Sequence, residues 1–436
     1  MEEVFNVLPL TAERAANGHL FIAGHDLGQL ARQWGTPLYV FDAQTVYGQV
    51  ESLRNSLTKN YPGEYEIAYA SKAYLSLGLA KRLAALKLGL DVVSMGELMI
   101  ARKAGYSPEL VHLHGNNKSE EEMRFALEWG IGNIVVDSLE ELGILESLAR
   151  EMNKRMNIWL RLTPGVDVDT HPHVQTGHPA SKFGIPIEDG QASTAIFRAK
   201  RSERLHLVGL HTHIGSQIFE PQAYRRALKM LFKLAEKEDM PLERINQGGG
   251  FGVPYTPERP EVGIDVFIQE MAETIREETT RLGWQIPMLV VEPGRWLVAR
   301  AGVAVYTIGT TKMSSDGTYM VAVDGGMADN PRVALYDARY TATLVERSEE
   351  GTPKHRATLV GKFCESGDQL IHRILLPEVR RGELIAMPVA GAYQLSMASN
   401  YNLAMRPAVL WLEDGRVEVL QQREKLTEHS WWMSGE

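Results

Sequence analysis

Between residues 67 and 292 an apolar, strand-like run followed by an amphipathic helix recurs, and this rhythm limits the fold more than any other property of the chain. The runs are Ile67–Ala70, Leu90–Ser94, Leu110–His114, Asn133–Asp137, Ile158–Leu162, Leu205–His213, Arg244–Gly248 and Met288–Glu292. Helical spacing of apolar residues fills the early gaps, at Gly96–Ala104, Glu120–Trp129 and Leu139–Met152, and spaces Leu75, Leu79, Leu83 and Leu86 through an expected helix from Ala73 to Leu90. Strands that are apolar on both faces and joined by crossover helices form a parallel sheet. Eight such units match a closed (β/α)8 barrel of about 250 residues, with an open doubly wound sheet as the alternative.

The flanks lack this rhythm. Ahead of it, Leu20–Gly24 and Pro37–Phe41 read as strands and Asp26–Trp34 as a helix, with Asp42 placed to cap a helix through Val46, Val50 and Leu53. After Arg295 come short alternating runs, at Val303–Thr307, Tyr319–Val323, Ala357–Val360, Leu384–Met387, Ala408–Leu412 and Val417–Leu420. Asp316-Gly317 and Asp414-Gly415 are hairpin turn pairs. The expected architecture is α/β: a (β/α)8 TIM barrel plus a C-terminal β-sandwich or barrel-like domain that includes the N-terminal strands. Its expected divisions are 1–41, 42–295 and 296–436.

Charge and composition narrow the partners. The net charge of −9 is spread along the chain without a basic block, which argues against nucleic acid and against an anionic membrane surface. No apolar run approaches the ~20 residues of a membrane span, and Met1-Glu2-Glu3-Val4 lacks the layout of a secretory signal. Cys364 is the only cysteine, so neither an intrachain disulfide nor a thiolate zinc site is expected, and a reducing cytoplasm fits best.

The unusual residues fall at the carboxyl ends of the expected barrel strands, where such barrels carry chemistry. Lys72 follows the first strand, although a lysine judged by position alone is more often a solvated charge. The sixth strand runs into His211-Thr212-His213-Ile214-Gly215-Ser216-Gln217, whose period of two puts both histidines on one face. Such a pair could ligate zinc or sit satisfied in the core, and Lys72 would repel a metal. Gly248-Gly249-Gly250-Phe251-Gly252 leaves bare amides able to close around an anion, and Glu292-Pro293-Gly294-Arg295 adds a carboxylate and a guanidinium. A lysine, a phosphate cradle, a flat imidazole and a carboxylate in one mouth suggest pyridoxal 5′-phosphate, with Lys72 attaching it, His213 stacking on it and Glu292 at its ring nitrogen.

These segments resemble the fold type III PLP-dependent decarboxylases and, within them, the branch acting on meso-2,6-diaminopimelate. The resemblance runs from Thr36-Pro37-Leu38-Tyr39-Val40 to Gly391-Ala392-Tyr393, through Tyr69-Ala70-Ser71-Lys72-Ala73, the histidine segment, the glycine cradle, Glu292-Pro293-Gly294-Arg295 and Cys364-Glu365-Ser366-Gly367-Asp368. It implies decarboxylation of that substrate to L-lysine and CO2, the last step of lysine biosynthesis, by a homodimer with shared active sites. For the cofactor it implies Lys72, His213, Ser216, Gly248, Gly249, Gly250, Glu292, Gly294, Arg295 and Tyr393. For the substrate it implies Arg295, Arg332, Tyr336, Tyr393 and the partner subunit's Glu365, with Cys364 as the acid that protonates the reacting carbon; no metal is implied.

The chain departs from the family pattern at Trp296, at Gln394 where glycine is common, and in the order Asn330-Pro331-Arg332-Val333. These departures bear on substrate detail. Two arginines suit a substrate with a second carboxylate, which argues against an ornithine or arginine decarboxylase; a racemase would need a second acid-base residue on the opposite ring face, and a non-catalytic PLP-binding protein would have no need of the Cys364-Glu365 segment. The long segment Asp169–Phe183, rich in His, Pro and Gly, is expected to be a mobile flap.

Overall fold

The computed structural model describes residues 3–165 and 181–428, so the expected flap lies almost wholly outside the described residues. The chain forms two compact units. One comprises Val50–Gly252 and Val262–Trp296; the other takes the N-terminal segment to Gln49, the short stretch Val253–Glu261 and the chain from Leu297 onward.

The first unit is the barrel. Its strands are β1 (Tyr65–Ala70), β2 (Gly89–Val92), β3 (Val111–Leu113), β4 (Asn133–Val136), β5 (Met156–Thr163), β6 (Leu205–His211), β7 (Arg244–Asn246) and β8 (Met288–Val291). Each pairs in parallel with its sequence neighbours, and β8 pairs with β1, which closes the ring. β2, β3 and β4 are buried at every residue, as strands covered on both faces must be. Inside, Trp159 packs with Val135, Val208 and Val290.

The helices start where short polar side chains satisfy open backbone amides. Ser94, Ser119 and Ser138 each accept from the amide three residues on, that of Glu97, Glu122 or Glu141, and Ser119–Glu122 forms a complete capping box. The helix expected over Ala73–Leu90 is shorter, Leu77–Ala85. Ser76 caps it through Leu79 N–H at 3.2 Å, and Gly89 already pairs with Ala68 in the next strand. The leucine spacing therefore ran through a cap and into a strand.

The second unit is built on one large sheet, in the order Gln369–Pro377, Lys354–Val360, Tyr319–Val323, Gly302–Met313, Leu38–Asp42, Ala408–Glu413, Arg416–Gln421. Leu38–Asp42 is buried at all five residues; it runs antiparallel to Gly302–Met313 and parallel to Ala408–Glu413. Asp42 caps the following helix, accepting from Thr45 N–H at 3.1 Å. Asp414 and Gly415 both take positive φ, +49° and +73°, the geometry a two-residue hairpin requires. Leu20–Ile22 does not enter this sheet: it pairs with Glu13–Arg14 and His25–Asp26 in a separate three-stranded one. No helix among the described residues is long and apolar enough to cross a membrane.

Candidate active site

In the barrel, β1 ends in one tight turn, Ser71–Ala73, that presents Lys72 with an exposed side chain. Its charge reaches Glu97 and His213. His213 lies two residues beyond the end of β6, and its Nδ1 accepts from the amide of Gly249 at 3.2 Å. Burial and the Lys72 charge hold the imidazole well below its usual range. It is a neutral plate, suited to stacking on an aromatic ring.

Glu292, just past β8, is the electrostatic centre. Oε1 accepts from Asn246 Nδ2 at 2.6 Å and lies 3.3 Å from His114 Nε2; Oε2 lies 3.1 Å from His211 Nε2. Burial would push the carboxyl up, but His211 and His114 together hold it well below the usual carboxylate range. The histidines divide the work. Burial favours the neutral form of both, yet Glu292 and Asp91 lift His114 to about 9, whereas His211 falls to about 4. Asp91, buried and facing Glu292, is pushed up to about 6. His114 Nε2 thus stands as an ion-pair partner between the two carboxylates, 3.6 Å from Asp91 Oδ1 and 3.3 Å from Glu292 Oε1, and Glu292 remains anionic.

The donor atoms of His114, His211 and Glu292 lie within 4.8 Å of one another, a separation a metal ion could bridge. Here the two histidines flank the Glu292 carboxylate as ion-pair partners. His211 and His213 do not converge as a ligand pair: His211 serves Glu292, and His213 serves Gly249.

The glycine run is sterically required. A Cβ at Gly249 would stand 2.0 Å from the Glu292 carbonyl oxygen, and one at Gly250, where φ is +100°, 2.3 Å from that of Gly215. Only glycine lets this backbone approach so closely. Arg295 Nη2 donates to Ser216 Oγ at 3.1 Å, so a cation and a hydroxyl join the loops after β6 and β8. Bare amides, a hydroxyl and a guanidinium match a phosphate monoester, and a buried anion matches a protonated pyridine nitrogen. The residues therefore fit pyridoxal 5′-phosphate. Trp296, beside them, is buried.

The remaining expected residues belong to the second unit. Arg332 and Tyr336 bound a five-residue helix in which Arg332 is buried. Tyr393, at φ +60°, lies within electrostatic reach of Arg332. Cys364 and Glu365 are exposed on a loop where the Glu365 carboxylate accepts from Gly367 N–H at 3.3 Å. Asp368 anchors that loop, accepting from the amides of Met327 and Phe363 at 2.6 and 2.7 Å. Among the described residues no hydrogen bond or ion pair joins Cys364 or Glu365 to Arg332.

Sequence reasoning missed Asp91, His114 and Asn246. The period-two argument used for His211 would have flagged His114 beside His112, and Asp91 stands as a charge within the apolar β2.

Residues 47–299 match the model of the pyridoxal-dependent decarboxylase, pyridoxal binding domain. Diaminopimelate decarboxylase from Bacillus subtilis (strain 168) is 42% identical over 418 residues, covering 95% of each chain. Among solved structures, diaminopimelate decarboxylase from M. jannaschii in complex with L-lysine superposes with a TM-score of 0.87 at 31% identity, covering 95% of this chain and 96% of that one. The Helicobacter pylori protein, also complexed with L-lysine, gives 0.84 at 30% identity, covering 92% and 98%.

Proposed function

The chain belongs to the pyridoxal-dependent decarboxylases, and on that premise we propose that it releases CO2 from meso-2,6-diaminopimelate to give L-lysine. The observation that carries the reading is the buried, anionic Glu292, with His114 and Asn246 on its carboxylate, set at the same end of the barrel as Lys72 and the glycine cradle. Pyridoxal 5′-phosphate, when bound, supplies the sink for the electron pair left at the α-carbon.

The chain's own groups do the rest. Lys72 anchors the cofactor covalently. Glu292 would hold the protonated ring nitrogen, and the neutral His213 would pack against the ring. Ser216, Arg295, Gly294 and the amides of Gly248, Gly249 and Gly250 hold the phosphate, with Tyr393 beside the cofactor. Arg295, Arg332, Tyr336 and Tyr393 orient the substrate, and a guanidinium can grip its distal carboxylate through two parallel hydrogen bonds.

The exposure of Cys364 and Glu365 supports a second feature, a homodimer with shared sites. In it, Cys364 and Glu365 of the partner subunit complete each site, the thiol returning a proton to the reacting carbon and the carboxylate receiving the distal amino group. A reducing cytoplasm keeps that thiol free.

The test is CO2 release by the purified holoenzyme from meso-diaminopimelate, ornithine, arginine and lysine, with borohydride reduction and peptide mapping alongside. Fastest turnover of meso-diaminopimelate and a label on Lys72 are expected. Faster turnover of any of the other three, or a label elsewhere, refutes the assignment.

A further inference from the structure

Arg332 is one end of a line of buried polar side chains that the roles above leave unused. It is 6% exposed, and its strongest electrostatic neighbours are Tyr255, Tyr340 and Tyr393; among the described residues no ion pair joins it to a carboxylate. Buried arginines are ordinarily paired with an anion. Here the guanidinium carbon stands 4.8 Å from the centre of the Tyr255 ring and 5.7 Å from that of Tyr340, and the two rings meet edge to face at 5.1 Å. Nη1 donates to the Tyr340 hydroxyl.

Behind Tyr340 the line continues. Its hydroxyl lies against the side-chain amide of Gln394, which is fully buried. Gln394 Oε1 accepts from the Tyr39 hydroxyl at 2.9 Å, and that hydroxyl stands 3.1 Å from Asp329 Oδ2. Asp329 is pinned from two further sides, by the Tyr306 hydroxyl at 2.6 Å and by Gly326 N–H at 2.9 Å.

Gln394 Nε2 is a buried donor with no partner in this arrangement. Turning the amide over puts Nε2 on the Tyr39 oxygen and Oε1 on the Tyr340 hydroxyl hydrogen. The Tyr39 and Tyr340 hydroxyls and the Gln394 amide then each have a partner, and the Tyr340 lone pairs are left facing Arg332.

We propose that Tyr340 and Gln394, anchored through Tyr39 on Asp329, are positioning residues that hold the Arg332 guanidinium for a two-point grip on the substrate's distal carboxylate. They thereby set the preference for dicarboxylic over monocarboxylic amino acids. The inference rests on the reading that Arg332 receives that carboxylate.

The experiment uses the holoenzyme carrying Tyr340→Phe, Gln394→Leu or, as the reference, Arg332→Lys. Competitive inhibition by 2-aminopimelate is compared with that by 2-aminohexanoate, a shorter analogue without the distal carboxylate, and kcat and KM are measured with meso-diaminopimelate. Losing a hydrogen bond to a charged group predicts KM raised about tenfold and the ratio of the two inhibition constants reduced about tenfold in both variants. kcat within about twofold of wild type and an unchanged cofactor absorbance are expected with it. A purely structural role would weaken both inhibitors alike and leave their ratio intact, which overturns the proposal. If Arg332→Lys itself leaves the ratio intact, the reading of Arg332 fails; if it alone collapses the ratio, only the positioning role fails. Should Gln394→Leu not fold, Tyr340→Phe, which keeps the ring contacts, decides the matter.

Discussion

The residue on which the site turns is Glu292, whose charge is kept by a neighbour that holds its own proton. His114 carries a pKa raised from the ordinary 6.5 to about 9. A histidine raised in this way stabilises the fold fully below about pH 6.5 and loses that contribution as pH climbs through 9. His114→Asn leaves Glu292 and Asp91 buried without the cation, at a cost of about 3 kcal/mol. The melting temperature of the cofactor-free variant therefore falls furthest below wild type under pH 6.5, and the gap closes above pH 9. A gap constant across that range would show that His114 is neutral in the fold. The residues that flank the strand ends, Lys72, His213 and Glu292, were legible because each stands out against an apolar or glycine-rich run. Asp91, His114 and Asn246 were not, because their meaning depends on which strands face one another across the ring, and that is settled only when β8 pairs with β1.

At the scale of elements, the loop after β7 is the least tolerant piece of the barrel. Gly249→Ala forces a methyl against the Glu292 carbonyl, where the free space ends at 2.0 Å. Overpacking of this kind costs about 1–3 kcal/mol, and the displaced loop carries the cradle away from Glu292. Titration of the variant with pyridoxal 5′-phosphate is expected to show weakened binding with the barrel's circular dichroism retained; wild-type affinity would mean that the cradle does not touch the phosphate. The barrel strands were readable from sequence because burial on both faces makes them continuous apolar runs. Gln369–Pro377 escaped notice because its exposure alternates irregularly and its pairing with Lys354–Val360 shifts register twice. The misjudged helix after Lys72 failed for a related reason: spacing alone does not see that Ser76 satisfies an amide and starts the helix late.

For the whole molecule, a site shared between two copies has an arithmetic signature. In the proposed homodimer, Lys72→Ala and Cys364→Ala are each expected to disable every site of their own dimer. In mixed dimers one of the two sites draws both intact residues, so random reassortment of equal amounts restores about a quarter of wild-type activity. Mixtures that stay inactive after reassortment would place Cys364 in the site of its own chain.

The strand Leu38–Asp42 lies between Gly302–Met313 and Ala408–Glu413, and this placement has a consequence for how the protein comes into being. A ribosome delivers the central strand of the sheet first and its two neighbours only after the entire barrel has been synthesised. The barrel can close while the chain is still growing, since all its strands lie between residues 65 and 291. Leu38–Asp42, polar only at the Tyr39 hydroxyl and at Asp42, waits unpaired through that interval, an open edge ready to accept any passing strand. The stretch that knits the finished sheet together is thus the stretch most in need of protection while the chain is incomplete.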